Sequence, residues 1–239
     1  ERSRVGDLSL YRAPWPPTDA TAVPDTSISP TGATAPSESV LGSPASGQVL
    51  LDWGPNCFGW ETDYSGHISN PGSQLTICGK IDAFYTPLDG LDPDAMEYTF
   101  VFDGLTSLGT TVVGGVIFET DYAGGVFRIY QDPTPDFEFG VNPPNGTAPA
   151  TFMDGELILE GTFSGFSVTL IDMGTTPATG NATGNWVMTG GTLYDLVAGC
   201  FGPFLGSWTD DDEVVPIPAG YTNHFDGKYD IEYCPPVPT

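Results

Sequence analysis

From Val49 onward the chain is a succession of short apolar runs that alternate with polar positions and are broken by Gly, Pro, Asn and Asp. A period of two marks half-buried strands. Glu97–Asp103 places Tyr98, Phe100 and Phe102 on one face and Thr99, Val101 and Asp103 on the other. Gly125–Gln131 sets Phe127 and Ile129 against Arg128 and Tyr130. Gln74–Phe84, the β-branched run Thr110–Glu119, Gly155–Phe163, Phe166–Asp172, Asn185–Thr189 and Tyr229–Tyr233 read as further strands. Glu160–Phe166 reads as a tight turn between two of them. Helical periodicity is nearly absent, with short candidates only at Pro93–Met96 and Leu193–Ala198. Strand runs separated by turn residues predict an all-β fold over residues 49–239, an antiparallel β-sandwich or jelly roll.

Residues 1–48 follow a different pattern. They are rich in Pro, Ser, Thr, Ala and Gly, and Pro14, Pro16, Pro17, Pro24, Pro30, Pro36 and Pro44 punctuate them. Such a segment has too little apolar surface to offset its own ordering entropy. The reading is an extended N-terminal arm that needs a surface to lie on. Its apolar anchors are Val5, Leu8, Leu10, Val23, Ile28, Val40 and Leu41, and its tip carries Arg2, Arg4 and Arg12. Fully extended, the arm reaches roughly 160 Å, against about 40 Å for the body.

Charge narrows the partners. Six basic residues against 31 acidic ones give a net charge of -25. That excludes the basic patches that neutralise nucleic-acid phosphates, and it disfavours anionic membranes. A basic arm tip is instead drawn to an acidic surface, including that of an identical subunit. No apolar span of membrane length occurs in the sequence. Glu1 is not a methionine, and the expectation is either a mature product after signal removal or a trimmed chain.

Four cysteines, Cys57, Cys78, Cys200 and Cys234, form no C-x-x-C pair. An even count with few lysines suggests an oxidising, extracellular setting. The favoured pairing is Cys57–Cys78 and Cys200–Cys234, each closing a local segment.

Candidate chemistry is sparse. His67 and His224 are the only histidines, and no G-x-S-x-G elbow occurs. With 31 carboxylates, a pair at hydrolytic spacing is expected by chance. The expectation is a protein that is not an enzyme, with no cofactor unless it is calcium. Asp89, Asp92 and Asp94, and Asp210, Asp211 and Asp212, supply clustered oxygens of the kind calcium takes. Asn145 and Asn181 match the N-glycosylation acceptor rule. Trp53, Trp60, Tyr64, Trp186 and Trp208 are candidates for stacking on sugars or for the core.

Together these features predict a secreted structural subunit that polymerises with copies of itself. The arm would add as a strand to the sheet edge of a neighbour. The logic resembles that of donor-strand pilus and biofilm-fibre subunits, and the resemblance is architectural. The alternative is an extracellular, adhesive module that binds surface glycans with calcium in its Asp-rich loops.

Overall fold

The computed structural model describes residues 48–139 and 150–231. The arm anchors and arginines from Arg2 to Leu41, the acceptor Asn145 and Cys234 lie outside these residues. The strands are β1 (Gln48–Glu61), β2 (Tyr64–Ser65), β3 (Ile68–Ser69), β4 (Gln74–Phe84), β5 (Glu97–Val113), β6 (Ile117–Asp132), β7 (Glu156–Ile171), β8 (Thr179–Gly190), β9 (Phe201–Thr209) and β10 (Asn223–Ile231). Eight of them close into an antiparallel barrel in the order β1-β10-β9-β8-β7-β6-β5-β4, while β2 and β3 form a separate small hairpin.

The all-β, antiparallel expectation therefore holds, but the sandwich is corrected to a barrel. Period-two alternation is the same in both architectures, because each buries one face of every strand. The decision rests on closure: β1 pairs with β10, from Gln48↔Ile231 to Gly59↔Asn223, as well as with β4.

The interior explains how closure succeeds. Trp53, Phe100, Phe102, Phe127, Phe166, Trp186, Phe204, Phe225 and Tyr229 are all essentially fully buried in one core. Burying such a side chain is worth about 1.5–3 kcal/mol. Their rings meet edge-on or tilted, as with Phe102 and Phe127 at 4.6 Å between centroids. Inward glycines make room for them. A Cβ at Gly161 would lie 1.4 Å from Trp186 Nε1, one at Gly184 would lie 2.2 Å from the Phe204 ring, and one at Gly206 would lie 2.2 Å from the Phe225 ring. Small and large residues thus interdigitate across neighbouring strands.

Two strand boundaries differ from the sequence reading. Thr110–Glu119 is not one strand: Gly114 (φ +61) and Gly115 (φ +75) turn β5 into β6, a conformation that glycine adopts without steric cost. Conversely, Glu160–Phe166 is no turn. β7 runs straight through it with a register shift between Phe163 and Gly165, a bulge that bends the strand without ending it. β1 and β9 have no counterpart in the sequence reading, and β9 occupies the start of Gly202–Tyr221, which by its Gly, Pro and Asp content reads as a loop. The helical candidates are a turn before Glu97 and a single 3-10 turn at Tyr194–Leu196.

A second cluster sits on the outside of the wall. Phe58, Trp60, Cys78, Val101, Phe152 and Tyr221 pack there under Phe137, Phe139, Val215 and Ile217, which come from the β6–β7 and β9–β10 connections. The described parts of those loops pack against this patch of the barrel's outer face.

The cysteine expectation is half corrected. Cys57 and Cys78 are free, buried thiols. Phe58, not Cys57, is the partner of Cys78 across β1 and β4. The one-residue offset sends Cys57 into the barrel core and Cys78 into the outer cluster, so the two sulfurs lie on opposite faces of the sheet. Cys200 is disulfide-bonded.

Candidate functional site

Strand direction gives the barrel two distinct ends. At one end β1 begins, β4 ends at Phe84, β5 begins at Glu97 and β10 ends at Ile231. At the other end β1 finishes at Glu61 and the β5–β6 and β7–β8 hairpins turn. His67 with its two carboxylates and the buried Glu61 gather at this second end.

There the β2–β3 hairpin is clamped to the barrel. Its turn residues, Gly66 and His67, both have positive φ (+56 and +67). A histidine in this left-handed region costs on the order of 1 kcal/mol, and such strain persists only when the surroundings hold it. Here two carboxylates do so. His67 Nδ1 lies 2.6 Å from Asp210 Oδ2, and His67 Nε2 lies 3.3 Å from Asp172 Oδ2. Tyr64 Oη donates to the same Asp210 oxygen at 2.5 Å. The Phe118 ring flanks the imidazole at 5.0 Å.

Beneath the hairpin runs a buried polar chain. Ser69 Oγ contacts Glu61 Oε1 and lies 2.6 Å from Ser107 Oγ, and Tyr122 Oη donates to Glu61 Oε2 at 3.0 Å. Burial is the largest influence on Glu61 and raises its pKa; the hydrogen bonds from Ser69 and Tyr122 pull the other way. The Tyr122 and Tyr64 hydroxyls are pushed up mainly by burial. These groups satisfy one another, and both imidazole nitrogens of His67 are occupied by carboxylates. The other histidine, His224, directs Nε2 at the Pro55 carbonyl.

The predicted calcium ligands do not come together. Asp89 accepts from Thr86, Asp92 caps the backbone of Asp94, Asp210 gives Oδ2 to the clamp, and Asp211 accepts from the backbone of Ala178 and Glu213. Among the described residues, the set with metal-like convergence is instead Asp132, Asp136 and Asp154, whose oxygens lie within 4.8 Å of one another. Sequence reasoning missed it because Asp154 is brought to the β6 end by the β6–β7 connection. Burial, and then Asp154 and Asp132, raise the Asp136 pKa.

The tryptophan platform is also corrected. Trp53, Trp60, Trp186 and Trp208 are buried, so none presents a face to a sugar. Tyr64 is half-buried in the clamp. Asn181 is exposed on the outer wall of β8. Two cations of the wall are paired: Arg128 bridges Asp103 (2.8 Å) and Glu160 (2.7 Å) across three strands, and Lys228 pairs with Asp230.

The clamped end also carries an overhang. β5 pairs with β4 only as far as Gln74↔Thr106, but with β6 as far as Val113↔Ile117. Leu108 is 62% exposed, and Val112 and Val113 are each 45% exposed.

No protein-family model matches the chain, and no curated protein or solved structure matches it.

Proposed function

We propose that this protein is an extracellular, non-enzymatic structural subunit that assembles with copies of itself through its N-terminal arm. The observation that carries the reading is the separation of the barrel's ends. β1, the strand that follows the arm in sequence, begins at one end, and the exposed apolar overhang lies at the other. Head-to-tail contacts of this kind generate a filament where the rotation between copies does not close into a ring.

Three further features support it. The barrel interior is filled by aromatic side chains, in the space where ligand-binding barrels hold their cargo. Both histidines are held by fixed partners. Both free thiols are buried with raised pKa values, which leaves them poor nucleophiles. In this reading Arg2, Arg4 and Arg12 steer the arm to the acidic wall of the next copy.

The test compares the full chain with one beginning at Gln48, by light scattering and negative-stain electron microscopy. The expected result is oligomers or filaments that disappear with the arm. Monomers in both samples would overturn the reading.

A second reading, a calcium-bearing adhesive module, is favoured by the Asp132–Asp136–Asp154 group alone. Calcium would then raise the melting temperature of the chain, and Asp154→Asn would abolish the rise. No rise at millimolar calcium would dismiss it.

A further inference from the structure

The β2–β3 hairpin is docked on the barrel by polar side chains. Among the described residues, no backbone-to-backbone hydrogen bond joins Tyr64–Ser69 to a barrel strand. The Ser69 hydroxyl bonds to Glu61 and Ser107, and the Ser69 N–H donates to Thr110 Oγ1 at 2.8 Å. Tyr64 donates to Asp210, and His67 stands between Asp210 and Asp172.

Asp210 makes this docking depend on charge. Its side chain is only 4% exposed, and its Oδ1 is buried without a hydrogen-bond partner. Its Oδ2 meets both Tyr64 Oη and His67 Nδ1. The tyrosine is neutral, and no lysine or arginine among the described residues pairs with Asp210 or Asp172. The imidazole is therefore the cation available to both carboxylates. A buried charge that loses its partner is strongly destabilising.

The ring needs two protons to serve both sides. Nδ1 lies 2.6 Å from Asp210 and Nε2 lies 3.3 Å from Asp172. An imidazolium turns an N–H toward each. A neutral imidazole has one N–H and one lone pair, so either tautomer sets a lone pair against a carboxylate. The surroundings do not relieve this. Tyr64, on the hairpin itself, already donates to Asp210, and β6 presents the uncharged Phe118 ring at 5.0 Å. Asp172 gives its other oxygen to the Gly174 N–H, and Asp211 accepts from Ala178. Asp63, at the entry to the hairpin, adds only negative charge.

We propose that His67 is a pH-sensitive latch: the protonated ring holds the β2–β3 hairpin on the barrel, and loss of that proton releases it. Imidazole side chains change charge between about pH 5 and 8, so the hairpin is docked on the acid side of that range and loosens on the alkaline side. The left-handed backbone of His67 (φ +67) favours release, because only the closed clamp holds that strain. Release carries Ser69 away from Glu61 and Ser107 and uncovers the buried polar chain.

The experiment follows hydrogen exchange of the Ser69 amide by NMR in the full chain, since this N–H is bonded to the barrel. Protection is taken relative to the unstructured rate at each pH, which cancels the intrinsic pH dependence of exchange. The expected result is protection at least tenfold lower at pH 8 than at pH 5, with the β6 amides unchanged. His67→Asn tolerates positive φ and cannot titrate, so its Ser69 protection should be low at both pH values. Asp172→Asn, at a side chain 32% exposed, offers an N–H to the neutral ring while Nδ1–H still serves Asp210. Its protection should stay high at both. Equal protection of the parent at pH 5 and 8 would overturn the proposal, as would His67→Asn protection matching the parent's at pH 5. A tenfold drop that survives in either variant would also overturn it and assign the titration to Glu61, which touches the hairpin through Ser69.

Discussion

Trp186 of β8 sits against the bare backbone of Gly161 on β7, so closely that a methyl group there would lie 1.4 Å from the indole Nε1. The barrel depends on such pairs of a ring and a missing side chain. Gly161→Ala should destabilise the fold by about 3 kcal/mol or more, at or above the upper range for overpacked cores. Gly165, four residues along the same strand, has no heavy atom within 4 Å of its would-be Cβ. Gly165→Ala should stay within about 0.5 kcal/mol of the parent. Urea denaturation of the two variants measures the contrast, and equal effects would refute the packing argument.

The His67 clamp makes an ordered prediction. His67→Ala loses both carboxylate contacts and keeps a side chain at φ +67. His67→Gly loses the same contacts but relieves the backbone. Both should be less stable than the parent, with Ala worse than Gly by about 1 kcal/mol. Chemical denaturation that ranks Gly below Ala would mean the strain is absent.

Glu61 predicts a pH dependence. Its pKa is raised by burial in the folded chain, so the folded state holds the proton more tightly than the unfolded state. The stabilisation from this site is complete below the unfolded value of about 4.3 and is lost as pH rises through the raised folded value. Glu61→Gln removes that titration, so its stability should fall less than the parent's as pH rises above about 4.3. Parallel stability-versus-pH curves would exclude the shift.

The thiols predict a labelling pattern. Cys57 and Cys78 are buried with raised pKa values, and Cys200 is disulfide-bonded. Native protein should resist iodoacetamide. Denatured protein without reductant should take two alkyl groups by mass, and denatured, reduced protein should take four. Rapid native alkylation would show that the barrel core or the outer cluster opens.

Much of the strand content was legible because alternation is local. Tyr98, Phe100 and Phe102 face the core and Thr99 and Val101 face outward, as the period of two required. β9 was hidden because its inward positions alternate glycine with aromatics, Gly202, Phe204, Gly206 and Trp208, a pattern that resembles a loop until the facing rings are in place. The clamp was illegible for another reason. His67, Asp172 and Asp210 are distant in sequence, and no spacing rule joins a hairpin turn to the ends of two other strands.

The sequence by itself determined that the body is antiparallel β and which faces of several strands are apolar. Each follows from side-chain period or composition, properties carried by neighbouring residues. Only the tertiary structure decided that the sheet closes, that Cys57 and Cys78 face apart, that Asp210 serves a histidine, and that one stretch of β5 outruns its β4 partner. Those outcomes depend on register between strands far apart in the chain, and register is set when long-range partners meet, a constraint no local pattern encodes.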